Sequence, residues 1–163
     1  MPSMAAFLAV ASTITPFEGP KIPGPEVYKL MMSHTCWEFS ERSPHRKEMK
    51  KGDLLVFYLG GAKGRYIAGE GRICGDMMRI EKSSPKTFDR NNVPFFTFRV
   101  PLTDIKTYPS RLVGMDTVEQ LSFVKSSTVE RKYIGLLLRS GVRKLTEKDV
   151  ELVREKAVAA APN

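Results

Sequence analysis

Cysteine is nearly absent from this chain: only Cys36 and Cys74 occur among 163 residues. Neither belongs to a C-x-x-C pair, which excludes a disulfide framework and a zinc finger and fits a reducing, intracellular compartment. Histidine is as scarce, and His34-x-Cys36 with a distant His45 and Cys74 fits no common zinc pattern, so neither metal nor cofactor is expected. Long apolar runs are missing too. The stretch Met4 to Ala11 is shorter than a secretory core and has no Lys or Arg before it, and nothing else approaches membrane-spanning length. A cytoplasmic protein without a membrane partner is expected. Acidic residues are in deficit, with 18 Asp+Glu against 26 Lys+Arg and a net charge of +8. Such a field attracts polyanions, nucleic acid first among them.

What is present is ordinary globular composition, 42% apolar and 27% charged, at a length suited to one domain over residues 1–163. Ala6 to Ser12 reads as a buried strand, ended by Thr13 and followed by a Pro/Gly-rich loop over 16–25. Pro25 and Glu26 suit the first turn of a helix that carries Val27, Leu30 and Met31 at helical spacing and stops before Trp37. Glu41 to Lys51 is polar and strongly basic. Lys51-Gly52-Asp53 then turns into Leu54 to Leu59, too apolar for a half-exposed strand and too short for a helix, hence a core strand.

Gly60, Gly61 and Gly64 bracket a hairpin into a strand from Arg65 to Cys74. Strict alternation puts Ile67, Gly69, Gly71 and Ile73 on one face, and the two glycines there predict a sharp bend or a close approach by another backbone. Lys82 to Pro94 reads as a loop and Phe95 to Leu102 as a strand ended by Pro101. Asp116 or Thr117 opens a short helical turn before Leu121, while Val129 to Arg139 is ambiguous between helix and strand. Thr146-Glu147-Lys148-Asp149 resembles a capping box for a terminal helix over 146–160, with Val150, Val153 and Ala157 as its apolar stripe.

The order of strand, helix ending at a tryptophan, basic loop, Lys-Gly-Asp, apolar strand and Gly-containing strand resembles EVE domains. These belong to the PUA-like superfamily, with YTH and ASCH domains. Trp37, Met49 to Asp53, Val56-Phe57-Tyr58 and Ile67-Ala68-Gly69 follow the EVE pattern in order and spacing. A second block, Leu121 to Lys125 with Gly141 to Asp149, looks like the C-terminal half of archaeal members. The resemblance implies an α+β fold, a curved, open PUA-like β-barrel of about five to six strands flanked by helices. It also implies a nucleic-acid-binding reader of a modified base of DNA or RNA. The bacterial Lys-Ser-Glu-Pro-like turn is replaced here by Ser12-Thr13, and the Arg-Asn-Tyr-like run by Glu38-Phe39-Ser40, so ligand identity does not carry over.

A reader needs an aromatic face, hydrogen-bonding groups for the base edge and cations for the phosphates. Trp37 is the expected pocket wall, against the ordinary alternative of a core residue. Phe39, Tyr58 and Phe123 are further aromatic candidates. Ser12, Thr13 and Ser40 could read the base edge or merely cap turns. Arg42, Arg46, Lys47, Lys125, Arg139 and Arg143 could meet phosphates or be scattered surface charge. No catalytic residue is assigned. Two other functions stay open: an ASCH-like amidohydrolase using Thr13, Lys21 and Glu70, and a protein-interaction adaptor.

Overall fold

The computed structural model describes residues 4–14, 20–61, 64–80, 89–90, 93–94, 96–109, 113–139 and 141–160. Pro16, Gly19, Phe95 and most of the loop expected between Lys82 and Pro94 lie outside these residues. In chain order the elements are β1 (Ala6–Ala11), α1 (Gly24–Ser33), β2 (Cys36–Phe39), a 3-10 turn (Arg46–Glu48), β3 (Leu54–Leu59), β4 (Tyr66–Ile73) and β5 (Met78–Arg79). There follow β6 (Asp89–Arg90), β7 (Val93–Pro94), β8 (Phe98–Thr107), α2 (Met115–Val118) and α3 (Ser122–Lys125). A second 3-10 turn (Arg131–Tyr133) runs into α4 (Ile134–Leu138), and β9 (Val142–Leu145) and α5 (Glu147–Ala160) complete the set.

Six strands pair in the order β2-β8-β4-β3-β1-β9, and β5 adds a seventh against β8, one more than the upper expectation because a two-residue strand gives no sequence signal. The pairing of β1 with β3 is parallel, in register from Ala6 opposite Leu54 to Ala11 opposite Leu59. The strands beside them, β9 and β4, are antiparallel.

This sheet is covered on both faces, which is why Leu54 to Leu59 is apolar throughout. Leu55, Phe57 and Leu59 point into a core with Phe7, Ala9 and Ala11 of β1, Val27, Tyr28 and Met31 of α1, and Trp37 and Phe39 of β2. Leu54, Val56 and Tyr58 point the other way, into a second core with Leu8, with Leu121 from the turn before α3, and with Val118, Phe123, Ile134, Leu138 and Val153 from the helices. Each large side chain buried in this way contributes about 1.5–3 kcal/mol.

Strict alternation fails in β4. Ile67 joins the helix-side core while Ile73 joins the α1-side core, because β4 carries one extra residue, Ala68, opposite the step from Phe57 to Tyr58 in β3. That bulge flips the facing of β4, while a second register shift, between Glu70 and Arg72, places its extra residue in β8. The close approach expected at the glycines is real: a Cβ on Gly69 would stand 2.4 Å from the Lys106 carbonyl oxygen. β8 also runs on to Thr107, so Pro101 lies inside it. It sits where β8 changes partner, pairing with β2 up to Pro101 and with β4 from Leu102, and a missing N–H costs little there.

Polar groups lock the pieces together. Asp53, in the Lys-Gly-Asp turn, accepts hydrogen bonds from the backbone N–H groups of Ala5 (3.2 Å) and Lys50 (2.8 Å), while Gly52 takes φ +95°. Asp149 accepts from the Thr146 N–H at 3.0 Å and the Thr146 hydroxyl accepts from the Asp149 N–H at 3.1 Å, the reciprocal pairing of a capping box. The other Asp149 oxygen accepts from the N–H and hydroxyl of Ser122, tying α5 to α3.

Glu70 of β4 binds α5 through a two-pronged contact with Arg154 at 3.1 and 2.7 Å, and the Tyr108 hydroxyl donates to the same carboxylate at 2.9 Å. Burial works against ionisation of Glu70, but these donors outweigh it and hold its pKa below the ordinary value. Burial, and then the Glu70 charge, push the Tyr108 phenol up. Because the folded state favours ionised Glu70, its contribution to stability is full above the ordinary pKa of 4.5 and fades as pH falls through the lower folded value. Urea unfolding from pH 7 to pH 3 should therefore show an acid-labile component that Glu70→Gln lacks. Identical acid sensitivity in the two proteins would show that the clamp carries none of it.

Candidate functional site

β1 and β3 run parallel and end together at Ala11 and Leu59, and just beyond them the chain is short of side-chain bulk at Ser12, Gly60 and Gly61. Two adjoining recesses of about 310 and 730 Å³ open there, between the sheet end and α4. Both fall within the roughly 300–1,000 Å³ range of small-molecule sites. The first is lined by Ser12, Tyr58, Gly60, Gly61 and Arg139 with Val10 and Leu138, the second by Met115, Glu130 and Lys132, and Tyr58, Arg65 and Gly135 are common to both.

Tyr58 forms the floor. Its ring belongs to the helix-side core, and its hydroxyl donates to the Met115 sulfur at 3.5 Å. A thioether is a weak acceptor, so a ligand carbonyl or ring nitrogen would replace it with gain. Burial raises the phenol pKa, with Arg65 partly opposing, and the group is a neutral donor at neutral pH. The Ser12 hydroxyl sits at the wall, 3.3 Å from where a Cβ on Gly60 would stand. Thr13 is at the lip: its hydroxyl lies 2.9 Å from the Cβ position of Gly61, a residue at φ +85°.

The rim is cationic. Arg65, Lys132 and Arg139 are exposed, and among the described residues neither Arg65 nor Arg139 pairs with a carboxylate. Lys132 meets Glu130 at 3.6 Å, an exposed pair worth about 0–1 kcal/mol. Arg65 has a left-handed backbone (φ +71°), uncommon for a residue with a side chain.

Of the residues expected to hold a base, the recess gathers Ser12 and Tyr58, with Thr13 beside it, and of the cations it gathers Arg139. Trp37 is not the pocket wall. It is 2% exposed and stacks on Phe57 at 4.6 Å between centroids in the α1-side core. The alternation of β2 turns Trp37 and Phe39 inward together and presents Cys36 and Glu38 to the other side, where Glu38 pairs with Arg99 at 2.9 Å. Phe39 is therefore a core residue as well, and so is Phe123, buried beneath the Arg143 guanidinium at 4.9 Å. Ser40 has the turn role: its N–H donates to the Ser43 hydroxyl at 3.1 Å.

The remaining cations do not line one groove with Arg139. Arg46 lies over the Phe98 ring at 3.7 Å, and it shares with Arg42 and Lys47 the loop at the opposite end of the sheet from the recess. Lys125 is exposed at the end of α3, and Arg143 is spent on Phe123. Arg65, Lys132, Met115 and the Gly60-Gly61 pair were not anticipated as site residues; the one sequence signal for them was the glycine cluster at 60–64.

The hydrolase triad does not assemble. Glu70 is held by Arg154 and Tyr108, and the recess beside it is lined by neither Thr13 nor Lys21. No group of three His, Cys, Asp or Glu among those residues could hold a metal. No helix among them is long and apolar enough to cross a membrane.

Residues 31–156 match the sequence profile of the EVE domain. No curated protein sequence matches the chain significantly. Among solved structures, a hypothetical protein from Leishmania major is similar with a TM-score of 0.62 at 10% identity, 96% of each chain being covered. A Pseudomonas putida protein gives 0.57 at 15%, over 94% of this chain and 99% of its own. The human THYN1 protein, in complex with 5-methylcytosine containing DNA, gives 0.54 at 17%, over 98% and 99%. At these identities the likeness establishes the fold, the PUA-like α+β half-barrel.

The geometry of the rim yields a stability test. Gly61→Ala should lower unfolding stability by about 1–2 kcal/mol, the cost of a side chain in the left-handed region. Tyr58→Phe should cost only about 0.5 kcal/mol, since it gives up a bond to sulfur. Urea denaturation of the two variants measures both, and the reverse ranking would contradict this account of the recess.

Proposed function

The chain belongs to the EVE domain family, and we propose that it is a nucleic-acid-binding domain that seats one modified base of DNA or RNA in the recess above Tyr58. One observation carries this reading. A neutral phenol donor and Arg65 stand between two adjoining recesses, the smaller also lined by the Ser12 hydroxyl and Arg139 and the larger by Lys132. The Tyr58 hydroxyl and the Ser12 hydroxyl suit the polar edge of a base, one donating and the other doing either. Val10, Leu138 and Met115 offer apolar contact for a methyl or similar substituent. Arg65, Lys132 and Arg139 stand where the flanking phosphates would pass, and the net charge of +8 favours approach. The complex of human THYN1 with 5-methylcytosine containing DNA supports the substrate class.

With Trp37 in the core, discrimination in this reading rests on hydrogen bonds and shape, with no indole face against the base. Fluorescence anisotropy against short single-stranded oligonucleotides, each with one modified base and matched to its unmodified parent, tests it. At least one modification should bind more tightly than its parent, and Ser12→Ala should narrow that preference. Arg139→Ala should weaken binding to all sequences alike and reduce the magnitude of the salt slope by about 0.7, the release from one single-strand phosphate contact. Binding unchanged by both Arg65→Ala and Arg139→Ala would rule the recess out as the site.

A further inference from the structure

The segment Arg131 to Leu138 is helical in two steps, and its apolar residues do not all face the core. Ile134 and Leu138 are buried, as their spacing of four requires, but Tyr133 and Leu136 are 49% and 50% exposed. A single exposed apolar side chain is ordinary. Here two of them, three residues apart, flank Gly135, which lines the recess and above which a Cβ would meet nothing within 4 Å. The Tyr133 ring is also tied to the cationic rim. The Lys132 ammonium, which lines the larger recess, lies 5.1 Å from its centroid.

We propose that Tyr133 and Leu136 form a stacking ledge for the bases next to the one in the recess, so that the domain engages nucleic acid as a single strand. This rests on the base-binding reading above. A strand that gives one base to the recess exposes the faces of its neighbours, and an aromatic ring beside the opening recovers the lost stacking. The ledge and the cations then act on different parts of the same strand. Tyr133 and Leu136 take base faces, while Arg65, Lys132 and Arg139 take phosphates. Glu130 is the one acidic side chain lining the larger recess, and its exposed contact with Lys132 gives way to a phosphate at little cost.

The experiment uses the full chain and a single-stranded oligonucleotide with 2-aminopurine beside the test base, together with its fully paired duplex. Binding by the parent protein should quench 2-aminopurine, with the single strand preferred over the duplex. Tyr133→Ala should remove the quenching and weaken single-strand binding about 5- to 150-fold, the range for loss of one stacked base, without changing the salt slope. Tyr133→Phe should keep both properties. Circular dichroism and thermal melting establish that the exposed substitution leaves the fold intact. Full binding and quenching by Tyr133→Ala overturns the ledge, and so does Tyr133→Phe failing as badly as Tyr133→Ala, which would assign the hydroxyl instead. Loss of self-association by Tyr133→Ala, with oligonucleotide binding intact, would make the patch a protein-docking surface and equally overturn it. Failure of the parent protein to bind any oligonucleotide refutes the base-binding reading itself, and is distinct from all three.

Discussion

The parallel alignment of β1 with β3 is the constraint from which the rest of this structure follows. The two strands run in register over six residue pairs, sort their side chains into two cores, and stop at the same level. Both faces are covered, so neither strand can slip by one residue without exchanging the contents of the two cores. That rigidity matters at the strand ends, where Ser12 follows β1 and Gly60 follows β3. Two strands ending level, followed by a small residue and two glycines, leave a gap that the fold does not fill.

Much of the architecture is written locally. Leu54 to Leu59 is legible because six consecutive apolar residues demand burial on both sides, and α5 because Thr146 and Asp149 cap it reciprocally. β2 and β9 are less legible, being four residues each and too short to show a period. The facing of β4 could not be obtained by counting alternate residues, since one bulge, at Ala68, intervenes between Ile67 and Ile73. That bulge depends on how β3 pairs with β4, which no local window contains.

The site divides along the same line. Ser12 and Tyr58 follow or occupy strands that the sequence announces, whereas Arg139 ends a segment whose type the sequence leaves ambiguous. The order of motifs places Trp37 and Phe39 at a pocket, but it does not say which way the residues after α1 face. Once Cys36–Phe39 is a strand against β8, alternate residues must face opposite ways, and the pair turns inward as far as Phe57. Arg65 and Lys132 escaped notice for a different reason. They are distant in sequence and meet only because the hairpin after β3 and the turn before α4 converge over Tyr58. The basic loop with Arg42, Arg46 and Lys47 illustrates the converse, as proximity in sequence to Trp37 did not place it near the recess.

The burial of Trp37 gives the molecule a built-in optical reporter. It is the sole indole, packed face to face with a phenylalanine and shielded from water, so its emission follows the integrity of the α1-side core. Tyr58, on the floor of the recess, sits on the opposite side of the same sheet. Ultraviolet excitation selective for indole therefore watches the scaffold while leaving events at the recess dark, separating loss of structure from loss of ligand in one cuvette.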